Sequence, residues 1–186
     1  MRYKGIIFDF FGVLCTEIAP FWLAARFAPD TAMEIKAGII GNADRGLISQ
    51  DEMFVQLANL CGYPKERVET EWLSYVRINN RLVDKIGQIR ERARVGLLTN
   101  SPSPLVRGIL NEHNLADLFD DIVVSSEVRC AKPDKAIYTI ILNKLSLSPI
   151  DTVLIDDNPE NIKGAIESGM FGIIFTSNEQ LDGELS

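Results

Sequence analysis

Short runs of consecutive apolar residues recur along the chain and, in its second half, alternate with segments of helical periodicity. A run that is apolar at every position, rather than at every second one, predicts a strand buried on both faces, as in a parallel sheet. Such runs cover residues 4–8, 95–98, 122–124, 153–155 and 172–175. The pattern therefore predicts a sheet of parallel strands.

Helical segments lie between these runs. In residues 103–113 and again in residues 135–145, apolar side chains recur at the three- and four-residue spacing of one helix face. Residues 161–168 form a shorter helical segment that ends at Gly169, a residue type that commonly terminates helices. Strands that alternate with helices predict an α/β fold with a doubly wound parallel sheet.

The stretch between residues 15 and 84 departs from this alternation, because its pattern is helical throughout. Its helical segments are residues 20–27, 31–40, 49–61 and 65–77. Ser49 followed by Glu52 is typical of a capping box at the start of a helix, and Gly62 followed by Tyr63-Pro64 predicts its end. We expect an inserted four-helix cap over residues 15–84, and an α/β core formed by residues 1–14 and 85–186.

Composition and charge narrow the classes of function. With 46% apolar and 24% charged residues, the 186-residue chain has the composition of an ordinary globular protein. Its net charge of −7, without a cluster of Lys and Arg, argues against a nucleic-acid partner. No apolar stretch reaches the roughly 18–20 residues that cross a membrane, so we expect no membrane partner. The early charges are unlike a signal peptide, and the three scattered cysteines are typical of reduced thiols. We therefore expect a cytoplasmic protein, either a monomer or a weak homodimer.

Polar side chains follow several predicted strands at the point where each one ends. Asp9 follows the first strand, Thr99 and Asn100 follow the second, and Asp156 and Asp157 follow the fourth. Ligands of doubly wound sheets bind at the carboxyl ends of the strands, so these side chains are expected to lie together. Several carboxylates in a small volume either become protonated or recruit a cation. Carboxylates, a backbone carbonyl and waters are the typical ligands of Mg²⁺.

Four short motifs, in order, resemble the signature motifs of the haloacid dehalogenase superfamily: "FDFFGVL", "LLTNS", "AKPD" and "LIDDNPENI". Each motif is weak alone, but four in register are specific. Within the superfamily, "DRGLISQDEMF", "FDDIVVSSEV" and "DDNPENIKGA" are most similar to the subfamily IA-like branch of sugar-phosphate phosphatases. That branch includes the N-terminal phosphatase domain of soluble epoxide hydrolases. The inserted helices lie where the superfamily's first type of cap lies. The resemblance implies a hydrolase, namely a Mg²⁺-dependent phosphatase with a small phosphorylated substrate.

The resemblance also implies a role for each motif residue. Asp9 would be the nucleophile that forms an aspartyl-phosphate. Lys132 would pair with Asp9 and with the phosphoryl oxygens. The Thr99 hydroxyl and the Asn100 backbone N–H would donate hydrogen bonds to the same oxygens. The implied metal ligands are the side chains of Asp9, Asp156 and Asp157 and the backbone carbonyl of Phe11, with Asp156 acting directly or through a water.

Phe11 departs from the family pattern, because phosphatases usually carry there a second aspartate that protonates the leaving oxygen and later activates water. A phenyl ring cannot transfer protons, a contribution worth about 10²–10⁴-fold. One interpretation is a phosphatase for substrates with good leaving groups, such as a sugar 1-phosphate, with Phe11 also contacting the substrate. A second is a metal-independent 2-haloacid dehalogenase, in which Asp156 and Asp157 would be unexplained. A third is a non-catalytic binding or regulatory protein with a degenerate site. We expect the first.

Overall fold

The computed structural model describes residues 3–185 of the chain. The strands in this part of the chain are β1 (Gly5–Phe8), β2 (Arg94–Thr99), β3 (Asp121–Val124), β4 (Thr152–Asp156) and β5 (Phe171–Ile174). They form one parallel sheet in the order β3-β2-β1-β4-β5. Every strand predicted from the sequence is present, and the doubly wound α/β fold is confirmed. Residues 1, 2 and 186 of the expected core lie outside the described residues.

The chain between β1 and β2 is helical, as expected. Its helices are α1 (Ala19–Ala24), α2 (Pro29–Ile35), α3 (Gly41–Asp44), α4 (Gln50–Cys61) and α5 (Lys65–Leu73), followed by α6 (Asn80–Ile89). A π-helical segment, Lys36–Ile40, joins α2 to α3, and the periodicity of the sequence did not predict it. Helix α4 begins with the predicted capping box of Ser49 and Glu52 and ends at Gly62, whose φ is 67°.

Further helices pack on both faces of the sheet. They are α7 (Ser103–Glu112), the short α8 (Ser125–Val128), α9 (Lys135–Leu145), α10 (Pro159–Glu167) and α11 (Asn178–Glu184). Successive residues of β1 point to opposite faces: Ile6 and Phe8 join the hydrophobic cluster that includes α6 and α7, whereas Ile7 joins the cluster that includes α9 and α10. No helix within residues 3–185 is long and apolar enough to cross a lipid bilayer.

Helix α6 crosses the boundary expected between residues 84 and 85. Its side chains Leu82 and Ile86 are buried, and the helix packs against β2 and against residues 116–118 of the core. On its exposed side, Arg81 and Lys85 form ion pairs with Asp182 of α11. Since both sets of contacts are made with the core, we move the proposed boundary between cap and core to the residues before α6.

The register of the sheet brings the ends of three strands together. Phe8 at the end of β1 lies opposite Leu97 of β2 and Ile155 of β4. The chain runs outward from β1 through β2 to β3, and then returns to the other side of β1 with β4 and β5. The strand order therefore reverses between β1 and β4, the place where doubly wound sheets bind their ligands.

Candidate active site

Asp9 follows β1, and Asp156 is the last residue of the neighbouring strand β4. One buried lysine lies between their carboxylates. The Nζ atom of Lys132 is 2.8 Å from Oδ1 of Asp9 and 2.6 Å from Oδ2 of Asp156. The side chains of Lys132 and Asp156 are completely buried, so each charge needs its partner. The structure thus brings together residues from three separate motifs.

The first turn of α10 also holds Asp156 in place. Oδ1 of Asp156 accepts hydrogen bonds from the backbone N–H of Asn158, at 2.9 Å, and from the side-chain amide of Asn161, at 3.0 Å. The backbone carbonyl of Asn161 accepts a hydrogen bond from the hydroxyl of Tyr138, at 2.8 Å. Both oxygens of Asp156 therefore have protein donors, which fixes the carboxylate and, through it, Lys132.

The carboxylate of Asp157 lies against the backbone of Gly12, in the turn after Asp9. A Cβ at position 12 would come within 2.2 Å of Oδ2 of Asp157, and the φ of Gly12 is 86°, a conformation that favours glycine. Glycine is thus needed for this close approach. One oxygen from each of Asp9, Asp156 and Asp157 lies within 4.8 Å of the others. These three oxygens are close enough to bind one cation together.

The electrostatics of this carboxylate cluster fit a divalent cation. Burial and then the negative charge of Asp156 raise the pKa of Asp9 well above its usual value, despite the opposing effect of Lys132. Burial and Asp156 also raise the pKa of Asp157. Burial alone lowers the pKa of Lys132, but Asp9 and Asp156 more than compensate, so its pKa is raised and the ammonium stays charged. One ammonium does not balance three carboxylates, and a hard cation such as Mg²⁺ would ionise them.

Thr99 and Asn100, at the end of β2, have different surroundings. Thr99 is completely buried, and its Oγ1 has no hydrogen-bond partner among the described residues. An oxygen of a bound phosphoryl group could be its partner. The side-chain amide of Asn100 instead exchanges two hydrogen bonds with the backbone of Lys132, each 2.9 Å long. The sequence predicted only the backbone N–H of Asn100 as a donor, whereas the structure shows that its side chain positions Lys132.

A cavity of about 150 Å³ lies between this edge of the sheet and the helices inserted after β1. The expected site residues that line it are Asp9, Phe11, Thr99, Asn100 and Asp157. Lys132 and Asp156 lie behind this wall, because both side chains are buried. The ring of Phe11 packs edge to face on Phe10, with 4.9 Å between the ring centroids. Phe11 therefore contributes an apolar surface to the cavity that Asp9 also lines.

Sequence reasoning missed other side chains that line this cavity, which come from the segment after β1 and from the inserted helices. These are, among others, Glu17, Lys36, Asp44, Met53 and Trp72. Nζ of Lys36 is 3.9 Å from Oε2 of Glu17, and burial raises the pKa of Asp44 to about 7. Lys36 and Asp44 lie eight residues apart in one continuous helical stretch, a spacing typical of one face. The sequence alone could not show that this face borders the site.

A family model described as haloacid dehalogenase-like hydrolase matches residues 3–169. The chain is 28% identical to sesquiterpene phosphatase astK of Aspergillus oryzae, over 95% of this chain and 91% of that protein. It is also 28% identical to D-ribitol-5-phosphate phosphatase of Bacteroides thetaiotaomicron, over 89% of this chain and 88% of that protein. Among solved structures, the magnesium complex of the HAD family enzyme bt-2542 of Bacteroides thetaiotaomicron has a TM-score of 0.82 at 22% identity, covering 100% of this chain and 99% of that one.

Proposed function

Because the chain belongs to the haloacid dehalogenase-like hydrolases, we propose that it is a Mg²⁺-dependent phosphatase that cleaves a small phosphomonoester through an aspartyl-phosphate at Asp9. The observation that carries this proposal is the buried ammonium of Lys132 between Asp9 and Asp156, beside Asp157 and the hydroxyl of Thr99, which has no partner within residues 3–185. Two similar proteins, which are phosphatases by name, support it.

The contacts of Asp9 suit a nucleophile. Oδ1 accepts hydrogen bonds from Nζ of Lys132, at 2.8 Å, and from the backbone N–H of Phe10, at 2.7 Å. These two donors orient the carboxylate and leave Oδ2 as the oxygen that attacks phosphorus. The Thr99 hydroxyl and the Asn100 backbone N–H then bind the phosphoryl oxygens, and the ammonium of Lys132, directly behind Asp9, stabilises the negative charge that spreads over these oxygens in the transition state.

The carboxylates of Asp9, Asp156 and Asp157, together with the backbone carbonyl of Phe11, are the proposed ligands of the magnesium ion. When bound, Mg²⁺ neutralises charge on the phosphoryl group and keeps the carboxylates ionised. Asp156 already accepts hydrogen bonds at both oxygens from Lys132 and from α10. Asp156 would therefore help to hold the ion through a water, whereas Asp9 and Asp157 would bind it directly.

The substrate that this site favours is small and has a good leaving group. The cavity of about 150 Å³ is smaller than the roughly 300–1,000 Å³ of typical ligand pockets. Phe11 provides no proton for the leaving oxygen, so a stable leaving group such as that of a sugar 1-phosphate reacts more readily. We propose a phosphorylated metabolite of this size as the substrate.

The test is hydrolysis of p-nitrophenyl phosphate and of a panel of phosphorylated metabolites, with Mg²⁺ and with EDTA. The wild-type protein is expected to be active in Mg²⁺ and inactive in EDTA. The Asp9→Asn variant is expected to be inactive in both. Asp30→Asn is a matched control, because Asp30 is exposed, lies outside the four motifs and is not among the residues that line the cavity. Halide release from 2-chloropropionate that resists EDTA would instead favour a dehalogenase, and inactivity in both assays would favour a binding protein.

A further inference from the structure

The phosphatase chemistry requires a proton carrier that the first motif lacks. When the ester bond breaks, the leaving oxygen needs a proton, and the aspartyl-phosphate later needs an activated water. Phe11 stands beside Asp9 and can do neither. A carrier must have an exchangeable proton and must border the cavity in which the leaving group lies.

Glu17 is a carboxyl group at this cavity that the four motifs do not include. It lies in the segment between β1 and α1 and lines the same cavity as Asp9, Phe11 and Asp157. About 31% of its side chain is exposed, so the carboxyl can be reached from the cavity. Thr99, in the same wall as Asp9, supplies an independent sign that a ligand binds here, because its buried hydroxyl has no partner among residues 3–185.

The backbone around Glu17 is anchored, which gives its side chain a reproducible position. The backbone N–H of Thr16 donates a hydrogen bond to the carbonyl of Arg77, at 3.0 Å, and the Thr16 hydroxyl donates to the same carbonyl, at 3.2 Å. Cys15 forms β-bridges to Phe11 and to Ile78. The segment is therefore tied both to the turn after Asp9 and to the chain that leads into α6.

The charges around Glu17 permit both protonation states. The charged groups that act on it electrostatically are Lys36, whose Nζ lies 3.9 Å from Oε2 of Glu17, and also Asp157, Asp156 and Lys132 of the core and Asp44 of α3. Burial raises the pKa of Glu17, and Asp157 raises it further, whereas Lys36 lowers it. A carboxyl whose pKa is raised toward neutrality is suited to give up a proton and take it back.

We propose that Glu17, from the segment that leads into the cap, is the general acid and base of this site in place of a second aspartate at position 11. The inference rests on the proposed phosphatase function. It assigns to this chain a proton carrier outside the four motifs, and it extends the substrates proposed above from esters with good leaving groups to esters with poorer ones, although Phe11 carries no proton.

The two steps balance as follows. Oδ2 of Asp9 bonds to phosphorus while the bond between phosphorus and the ester oxygen breaks, and the proton of Glu17 moves to that oxygen, releasing the alcohol. The carboxylate of Glu17 then takes a proton from a water whose oxygen attacks phosphorus. The bond from phosphorus to Asp9 breaks, so that inorganic phosphate leaves, and Glu17 is protonated again.

The experiment measures kcat/KM for a series of aryl and alkyl phosphates, ordered by the pKa of the leaving alcohol, in the presence of Mg²⁺. In the Glu17→Gln variant, we expect kcat/KM for alkyl phosphates to fall about 10²-fold or more, and for p-nitrophenyl phosphate to fall far less. Glu34→Gln, an exposed residue of α2 outside the cavity, is the control and should follow the wild type. If Glu17 had only a structural role, its replacement would lower kcat/KM equally for alkyl and aryl phosphates.

A rescue variant makes the test independent of folding. Adding Phe11→Asp to Glu17→Gln should restore alkyl phosphate hydrolysis. The substitution Phe11→Asp should raise kcat/KM for alkyl phosphates more in the Glu17→Gln variant than in the wild type. An active wild type whose Glu17→Gln variant keeps the wild-type ratio of alkyl to aryl activity would overturn the role of Glu17 alone. A wild type without Mg²⁺-dependent hydrolysis would overturn the phosphatase itself.

Discussion

Buried polar groups at the edge of the sheet differ in how well they are paired. Lys132 and Asp156 are completely buried and satisfy each other. The hydroxyl of Thr99, in the same layer, has no partner among the described residues. An unsatisfied buried hydroxyl costs about 1–3 kcal/mol of folding free energy. A position that carries this cost beside a cavity is best explained by a ligand that supplies the missing acceptor.

Replacement of this hydroxyl should therefore separate stability from activity. In Thr99→Val, we expect the free energy of unfolding to stay the same or to rise by up to about 1 kcal/mol, because an unsatisfied hydroxyl is removed. We expect kcat/KM to fall about 10²-fold, because a donor to the phosphoryl group is lost. Urea denaturation and the phosphatase assay measure the two effects. Thr139→Val, on the exposed side of α9, should change neither. A variant that is destabilised but fully active would contradict this interpretation of Thr99.

At the scale of one element, the π-helical segment between α2 and α3 helps to form the cavity. Segments of this kind inside helices are frequent at functional sites. Here the segment Lys36–Ile40 contributes Lys36 and Ile40 to the cavity, and α3 contributes Asp44. The hydroxyl of Ser125, at the start of α8, donates to the backbone carbonyl of Asp44. This end of the helical stretch is thus attached to the core, and the π-helical segment determines which side chains face the cavity.

Gly38 offers a direct test, because a Cβ at this position would meet nothing within 4 Å in the described part of the chain. Gly38→Ala should raise the free energy of unfolding by about 0.5–1 kcal/mol and leave kcat/KM unchanged, since only helix propensity changes. Deletion of Gly38 should instead rotate Lys36 relative to Asp44 by about 100° and lower kcat/KM. Urea denaturation, circular dichroism and kinetics compare the two variants. Full activity in a folded deletion variant would show that the register of this stretch is unimportant.

At the scale of the whole molecule, the sequence predicted the sheet and the grouping of its polar ends. Continuous apolar runs identified the strands, and parallel strands necessarily end at one edge. This reasoning alone placed Asp9, Thr99 and Asp156 near one another, and the structure has them at that edge. Their catalytic roles remain proposals. The hydrogen bonds of Asn161 to Asp156 could not be predicted, because they depend on where α10 begins and how it packs.

The wall of the cavity formed by the inserted helices could not be predicted for a related reason. An apolar or polar face can be found from periodicity, but the surface against which it packs is set by long-range contacts. The position of Lys36 relative to Asp44 also depends on the π-helical segment, which the apolar pattern of the sequence does not reveal. Helix α6 was missed although Leu82 and Ile86 have helical spacing, because the helical pattern before it continued without a clear stop.

The folded protein should lose stability with rising pH when no cation is present. The pKa values of Asp9, Asp157 and Glu17 are raised by burial above their usual values near 4, and that of Asp44 is raised to about 7. Between about pH 4 and about pH 7, the native state therefore binds more protons than the unfolded state. The free energy of unfolding falls as pH rises through this range. Below about pH 4, these carboxyl groups are protonated in both the native and the unfolded state, and their contribution to the free energy of unfolding is fully present.

Addition of Mg²⁺ should oppose this loss, because the ion binds the ionised carboxylates and only in the native state. At pH 7.5 and a Mg²⁺ concentration of 100 times Kd, the expected gain is about 2.7 kcal/mol, or a rise in Tm of about 5–10 °C. At pH 5 the gain should be much smaller, because protons compete for the carboxylates. Thermal unfolding in EDTA and in Mg²⁺ at both pH values measures this difference, with Asp157→Asn as the variant that should lose the Mg²⁺ effect. An equal rise in Tm at both pH values, or an undiminished rise in Asp157→Asn, would mean that the ion binds elsewhere on the molecule.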